Sequence, residues 1–535
     1  MAATESVRTC ASCGTKLSRY NSAELCAACE RKGHGSTVAA PLEPISPPRE
    51  AWLYVGKPAV APPDGSNVGD LLRTYRATHN LTQGDLAARL GFDQSYVSMV
   101  ERGKRTIRDV GELRRVASSL GIPHEELGLV PIPDDGPLPG EAVAQPDGPA
   151  AEPVVDEQRH WRMVRRALNQ HRNDLSRAAR KLYPQFSSVR GVLSNPEWMA
   201  ASPVPLDRIQ LSWRGRLDTP AVVGSEPQSD DVRPSASPGA RFERYSRAIK
   251  ALERPKLFEN RVSFRLTEVD WTPSGAYLSF GYTTYFDMVD VCEAAAHELA
   301  AAWLDSGSSE DWLAAPTWSR LPFRSLIGDP FNLNQRALLP SIDTLTVRLG
   351  RDGASFVLHR RESANVALAG GYYHVMPCGV FQPSTLAPWD QANDFDLWRN
   401  MMREYSEEFL GMPEADGSNG EPIDYAHVEP FRSLNDAKAD GSLRAYCFGI
   451  GLDPLTLAGE ILAVVVIEET AYDRIFDGLV ATNSEGSIVA ASPSLAAGIP
   501  FNEQNIRRLL DDEPLAPAAA ACLDLAWLHR HELID

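Results

Sequence analysis

The sequence predicts a multidomain protein with a small cysteine-rich module, an all-α domain and a large C-terminal domain of α/β or α+β class. Four of the eight cysteines lie between positions 10 and 29, which indicates a separate small module. Amphipathic helical patterns follow one another over 67–130, whereas helical and strand-like patterns alternate from 241 onward. A chain of 535 residues has room for all three, since domains commonly hold roughly 100 to 200 residues.

Composition and charge exclude several classes of protein. The hydrophobic fraction of 43% and the charged fraction of 23% are ordinary for a soluble globular protein. The longest aliphatic run, ILAVVVI at 461–467, is far shorter than the roughly 20 residues that span a bilayer, and no signal-peptide pattern is present, so we expect a cytoplasmic protein. A net charge of -18 argues against coating of nucleic acid by the whole surface, so any contact with DNA must be local.

The N-terminal cysteines form two C-x2-C pairs, CASCG at 10–14 and CAAC at 26–29. Two such pairs can direct four thiolates to one tetrahedral Zn²⁺, which leaves no position for a substrate, so the site should be structural. The pattern resembles a zinc ribbon, here over 1–35, and a redox-active or metal-free pair of thiols is the alternative. A linker rich in proline and glycine follows over 36–66. The expected zinc ligands are Cys10, Cys13, Cys26 and Cys29.

Residues 67–130 predict an all-α domain of short helices. Thr82 is placed to cap the second helix, and Gly91 permits a tight turn after it. The third helix should begin near Asp93 or Gln94 and leave polar side chains exposed on its N-terminal side. A recognition helix presents its hydrogen-bonding groups to the major groove of DNA from that side.

This segment resembles the XRE-type (Cro/cI-like) helix-turn-helix family in its LTQGDLAARLG and SYVSMVERGKR stretches. The resemblance implies a sequence-specific transcription regulator that binds double-stranded DNA as a homodimer. By the same resemblance Gln83 would contact phosphate and brace Gln94. The alternative is a helical bundle used only for protein contacts. The implied base-reading side is Gln94, Ser95, Tyr96 and Ser98, and the implied phosphate contacts are Gln83, Lys104, Arg105 and Arg108.

Between this domain and the C-terminal half, composition predicts two tethers and a basic helical segment. Residues 131–157 are rich in proline, glycine and acidic side chains and should be disordered, and the Pro/Ser-rich stretch 218–240 should be a second linker. Residues 158–217 form the basic helical segment. Its cations could contact phosphate, lie on a solvated face or dock on the acidic C-terminal half. They include Arg162, Arg165, Arg166, Arg172, Arg177, Arg180 and Lys181.

The C-terminal half divides in the sequence into an α/β extension over 241–324 and a main domain over 325–535. HELAA at 297–301 has alanine where a zinc-protease helix needs its second histidine, so His297 should be structural. The expected strands are RVSFRLTEVDW, AYLSFGYTTYF, a hairpin in SIDTLTVRLGRDGASFVL, YYHVMPCGVF and ILAVVVIEE, and the expected long helix is VDVCEAAAHELAAAWL.

This order of elements resembles the Nudix fold, a mixed sheet between helices, and REYSEEFLG at 403–411 matches the R-E and E-E parts of the Nudix box. On an α-helix its three glutamates share one face, where Mg²⁺, Mn²⁺ or a ligand could bind. If Gly379 is the box glycine, Thr385 replaces the expected glutamate and the loop is longer than in the family pattern. These departures favour a sensor of a nucleotide-derived effector over a pyrophosphohydrolase of nucleoside diphosphate derivatives, and no catalytic residue is assigned. Purely structural acids are a third reading. The three glutamates are Glu404, Glu407 and Glu408.

Overall fold

The chain divides into two units, Met1–Ala61 and Pro62–Asp535. The computed structural model describes only part of the second unit, so the predicted zinc ribbon and the linker over 36–66 lie outside the described residues. The described ranges are 68–123, 152–215, 217–255, 258–272, 275–361, 372–385, 388–414, 422–477, 479, 486–489 and 498–534.

The all-α domain contains four short helices: α1 (Val68–Thr78), α2 (Gln83–Leu90), α3 (Gln94–Glu101) and α4 (Val110–Leu120). Thr82 caps α2 through a capping box with Asp85, and Gly91 ends the helix in the left-handed conformation at φ 66°. Both predictions are confirmed, as is the start of α3 directly after Asp93. The helices close over one apolar core of Leu72, Tyr75, Leu86, Leu90, Val97, Val100, Leu113, Val116 and Leu120.

The remaining described residues build a sheet-containing α/β region. Its strands are β1 (Met199–Pro205), β2 (Ile209–Trp213), β3 (Ser235–Ser237), β4 (Ala240–Arg241), β5 (Val262–Thr272), β6 (Gly275–Thr284), β7 (Pro340–Gly350), β8 (Gly353–Phe356), β9 (Leu358–Arg361), β10 (Tyr373–His374), β11 (Cys378–Val380), β12 (Leu443–Leu452), β13 (Gly459–Glu468), β14 (Gly486–Val489) and β15 (Ile499–Pro500).

The helices of this region cover the strands and connect them. They are α5 (Glu152–Gln170), α6 (Arg172–Lys181), α7 (Tyr245–Leu252), α8 (Tyr285–Met288), α9 (Ala294–Asp305), α10 (Glu310–Ala314), α11 (Pro322–Ile327), α12 (Pro388–Asn393), α13 (Leu397–Glu404), α14 (Phe431–Asp440), α15 (Glu469–Ile475), α16 (Glu503–Asp512), α17 (Pro517–Leu528) and α18 (Arg530–Ile534). One π-helical turn, Val289–Glu293, precedes α9, and another, Tyr405–Phe409, follows α13.

The principal sheet has the strand order β1-β12-β13-β7-β8-β15, with β11 also paired to β7. Strands β13 and β7 run parallel and their other neighbours run antiparallel, so the sheet is mixed. Alternate residues of β13 enter two different apolar clusters: Ile461, Ala463 and Val465 pack on one face, and Leu462 and Val464 on the other. The sheet is therefore covered on both faces, which explains the continuous apolar run of this strand.

The segments expected to be tethers are partly ordered, which corrects two predictions. Helix α5 begins at Glu152, so the disorder expected over 131–157 does not include its last residues. Residues 218–240 are not a linker, because Arg233 is buried and donates to the carbonyls of Phe242 and Glu243. A proline-rich composition therefore marked an irregular but packed segment, held by hydrogen bonds that composition does not reveal.

The basic segment over 158–217 docks on the acidic C-terminal half, one of the three alternatives above. The side chain of Arg165 is 0% exposed and pairs with Glu253 (3.0 Å) and Glu293 (3.1 Å). Arg172 pairs with Glu293 at 2.6 Å, and β1 joins the principal sheet beside β12. The apolar core likewise continues from α5 to β13, so the boundaries expected at 217, 240 and 324 do not interrupt the packing.

Candidate functional sites

Helix α3 presents polar side chains at its N-terminal end. Gln94 and Ser95 are exposed, and Ser98 is half-buried, while Val97 and Val100 on the opposite side enter the core. The apolar spacing of three residues fixes which face is buried, and the polar face follows from it. The structure therefore brings the expected base-reading residues to one accessible helix end.

Tyr96 has a different position from its polar neighbours. It is half-buried; its ring packs against Phe92, with ring centres 4.9 Å apart, and the Arg105 guanidinium lies 4.8 Å from its centre. A cation above an aromatic face is attracted by the ring's electrons, so Tyr96 holds Arg105 in place. Lys104 and Arg105 are exposed and remain accessible to phosphate.

Glu101 is a buried carboxylate that no sequence motif indicated. It connects α3, where it lies, to α1 and α2. It is 3% exposed and accepts from Arg76 Nε (2.8 Å) and Gln83 Nε2 (2.7 Å). Burial alone would raise the pKa of Glu101, but these hydrogen bonds outweigh it and lower the pKa. Gln83 therefore donates to Glu101, whereas the family resemblance implied that it would brace Gln94. A glutamate at the end of an apolar helix face was the signal available in the sequence.

Arg108, expected to contact phosphate, is half-buried against the C-terminal region, whereas Lys104 is exposed to solvent. Its guanidinium pairs with Glu414 (2.8 Å) and Glu259 (3.5 Å). Glu414 also pairs with Arg261, so two cations share one carboxylate. Burial would raise the pKa of Glu414, but hydrogen bonds and charge from the two arginines lower it to about 2. We refer to Arg108, Glu259, Arg261 and Glu414 as the Arg108 cluster.

Two hydrogen bonds with the backbone of Asn260, beside the Arg108 cluster, fix the start of α4 to the same surface. Asn260 N donates to Asp109 Oδ2 (3.0 Å), and Val110 N donates to Asn260 O (2.7 Å). The residue range 108–110 is therefore joined to the α/β region by both charge and backbone contacts. The all-α domain and the α/β region are therefore in direct physical contact at this surface.

The glutamates expected on one α-helical face lie across a change of helix type. The α-helical hydrogen bonding of α13 ends at Glu404, and the chain continues directly into the π-helical turn. The wider turn alters the angular spacing of Glu407 and Glu408 around the helix axis. Glu408 is buried and accepts from Cys378 N (3.4 Å), whereas Glu407 is half-buried. The Cβ of any larger residue at Gly379 would overlap the Glu404 carboxylate. Glu404 and Glu408 therefore pack against β11, and the three acids do not project together into solvent.

Behind β11 lies a cavity of about 210 Å³. Asp343 and Glu460 face it from the adjacent parallel strands β7 and β13, and Ser341 Oγ lies within hydrogen-bond distance of both carboxylates, with one proton to donate. Burial, and then the neighbouring Asp343 carboxylate, holds the pKa of Glu460 well above its ordinary value. Arg172 lies in the cavity wall, and none of the described residues accepts a hydrogen bond from its Nη1.

The same cavity brings together a set of possible metal ligands that no sequence spacing indicated. One ligand atom each from Asp343, His374 and Cys378 lies within 4.8 Å of the other two. Among the described residues, Glu404, Glu407 and Glu408 do not form a comparable group. The three residues come from β7, β10 and β11, so the pairing of the strands, and not a local motif, assembles them.

His297, predicted to be structural, is buried and bonded. Its Nδ1 lies 2.9 Å from the Tyr245 hydroxyl, and its ring stacks on Trp161. Burial lowers its pKa well below the ordinary value, so the imidazole is neutral. The prediction is confirmed.

Comparison with known proteins finds similarity in the N-terminal helical domain. The family model described as a helix-turn-helix domain matches residues 67–129. The uncharacterized HTH-type transcriptional regulator y4dJ of Sinorhizobium fredii (strain NBRC 101917 / NGR234) is 42% identical over 60 residues, which make up 11% of this chain and 77% of that protein. None of the helices in the described ranges has the length and apolar character needed to cross a membrane.

Proposed function

Because this chain belongs to the helix-turn-helix family of transcriptional regulators, we propose that α3 reads operator DNA and that the C-terminal region senses an effector. The observation that carries the DNA-reading part is the exposed position of Gln94 and Ser95 at the start of α3. Glutamine offers the paired donor and acceptor that match adenine in the major groove, and serine can serve either kind of group. One such module covers a half-site, so we propose a homodimer on a near-palindrome.

The test of base reading is a double substitution, Gln94→Ala with Ser95→Ala, in the full chain. Loss of one bidentate base contact costs about 1 to 3 kcal/mol, so operator affinity should fall roughly 5- to 150-fold. Affinity for unrelated DNA should stay the same, because phosphate contacts are retained. Ser118→Ala, at an exposed serine of α4, is the matched control. Unchanged operator affinity in the double variant would contradict the assignment.

We propose that the Arg108 cluster couples the C-terminal region to DNA binding. Arg108 can pair with Glu414 or with a phosphate, but one guanidinium cannot fully serve both. A ligand that changes the position of Glu414 would therefore change DNA affinity, by no more than its difference in affinity for the two states.

We propose that the effector carries an anionic group and that this group binds in the 210 Å³ cavity. The support is Arg172, whose Nη1 has no acceptor among the described residues and would donate to a phosphate of a nucleotide-derived ligand. ADP-ribose is a suitable first probe. We expect it, or a related nucleotide, to shift operator affinity in the wild type and not in Glu414→Gln. If a panel of such ligands leaves operator affinity unchanged, the sensing proposal is wrong.

A second candidate function is pyrophosphohydrolysis of nucleoside diphosphate derivatives. The close packing of Glu404 on Gly379 favours it, as does buried Arg403, which donates to Gln382 O at 2.5 Å, because both belong to the part of the chain that resembles the Nudix box. Mg²⁺ or Mn²⁺ at the glutamates would supply the charge that neutralises a diphosphate. Turnover of dinucleoside diphosphates with Mg²⁺, lost in Glu407→Gln, would favour the enzyme, and absence of turnover favours the sensor.

The four N-terminal cysteines remain a proposed structural zinc site. Four thiolates in two C-x2-C pairs satisfy a tetrahedral ion completely. Elemental analysis of the purified chain tests this, and loss of one equivalent of zinc in Cys10→Ser is the expected result.

A further inference from the structure

Asp343, His374 and Cys378 form a buried set of oxygen, nitrogen and sulfur donors at the wall of the cavity. They are 1%, 8% and 5% exposed, respectively. Cys378 lies directly opposite Asp343 in the antiparallel pairing of β11 with β7, so the two side chains leave the sheet on the same face. The set is thus fixed by strand pairing and not by flexible loops.

The histidine is oriented as a metal-binding imidazole is. Its Nδ1 lies 3.1 Å from the carbonyl oxygen of Val375, which can only accept, so the proton is on Nδ1. The lone pair is then on Nε2, which faces Asp343 Oδ1 at 3.7 Å. A backbone carbonyl holding the other ring nitrogen is the usual outer contact of a histidine ligand.

The aspartate is oriented in the same manner. Ser341 Oγ donates to Asp343 Oδ2 at 2.9 Å, which turns Oδ1 toward His374. The 3.7 Å between Oδ1 and Nε2 exceeds hydrogen-bond length. It is close to the roughly 3.4 Å expected between two ligands of a tetrahedral ion with bonds of about 2.0 to 2.1 Å.

We propose that Asp343, His374 and Cys378 bind a divalent ion of the zinc class. A thiolate, an imidazole and a carboxylate together suit Zn²⁺ better than Mg²⁺, which prefers oxygen ligands alone. The ion offsets the buried negative charge of the thiolate and the carboxylate, which is costly without a cation. All three ligands line the cavity, so the fourth coordination position opens into it, where water or an anionic group of a ligand can bind.

The experiment separates metal binding at this site from DNA reading and from metal binding by the N-terminal cysteines. Full-length chain carrying Cys10→Ser and Cys13→Ser is dialysed against Zn²⁺ and then against buffer, and its metal content is measured. We expect about one bound equivalent. Cys378→Ser added to that background should remove it, whereas Cys447→Ser, at a buried thiol outside the cluster, should not. A folded Cys10/Cys13 variant without metal overturns the proposal, and so does metal retained after Cys378→Ser.

Cobalt gives a readout that does not depend on the folding of the cluster variants. Co²⁺ bound in the Cys10/Cys13 background should show a thiolate-to-metal charge-transfer absorption that survives Cys447→Ser. If Cys378→Ser misfolds, Asp343→Asn replaces it and should weaken Co²⁺ binding at least tenfold. Absence of the thiolate absorption in the folded background variant overturns the proposal, because Cys378 would then not be a ligand.

Discussion

Replacing Glu414 with glutamine should release Arg108 from the α/β region and strengthen DNA binding. The carboxylate pairs with Arg108 and Arg261, and its pKa falls from the ordinary 4.5 to about 2. A shift of this size corresponds to about 3 kcal/mol between the two ionisation states. The Glu414 side chain is 37% exposed, so solvent screens the pair and we expect roughly 1 kcal/mol to be lost on substitution.

The assay is DNA affinity of the full chain as a function of salt concentration. An Arg108 freed for one extra phosphate contact should steepen the slope of log affinity against log salt by about 0.9. Glu503→Gln breaks an exposed ion pair with Arg507 on α16 and serves as the matched control. An unchanged salt slope in Glu414→Gln would refute the claim that Arg108 is shared between phosphate and Glu414.

The ion pairs of Glu414 with Arg108 and Arg261 predict that the stability of the folded chain depends on pH. Because the folded-state pKa of Glu414 is depressed, its contribution is present above about 4.5 and is lost as the pH falls toward about 2. Wild-type stability should therefore decline faster than that of Glu414→Gln within that window, as measured by thermal melting at successive pH values.

Two further predictions concern packing. Glu101→Ala leaves the Arg76 guanidinium without its buried partner. Hydrogen-exchange protection of α2 and α3 should therefore fall by about 100-fold, which corresponds to roughly 3 kcal/mol. The control is Asp93→Ala, at an exposed N-cap without a side-chain cap bond, which should change this protection little. Gly379→Ala should lower the melting temperature by several degrees, because its Cβ overlaps the Glu404 carboxylate, whereas Gly84→Ala, whose nearest atom is 3.7 Å away, should not.

Local signals in the sequence predicted local structure well. The Thr82 cap, the Gly91 turn and the strand over 461–467 each depend on residues close together in the chain, and each is confirmed. The buried face of α3 followed from its apolar spacing in the same way.

Contacts between distant residues were not predictable from such signals. From the sequence alone, Arg108 is predicted to contact phosphate, because its partner Glu414 lies more than 300 residues later in the chain. The ligand set in the cavity depends on the pairing of β11 with β7, which spacing does not encode. Composition was also misleading at Arg233, since a proline-rich segment can be packed, and the π-helical turn changed the expected face of Glu408.

The most direct test of sequence-specific DNA binding is selection of genomic DNA fragments by the full chain, followed by measurement of affinity for the recovered sequence and for a shuffled control. We predict a shared, near-palindromic sequence bound at least about 1,000-fold more tightly than the control at physiological salt. Equal affinity for both would contradict a sequence-reading function of Gln94 and Ser95 and would leave the helical domain as a protein-contact module.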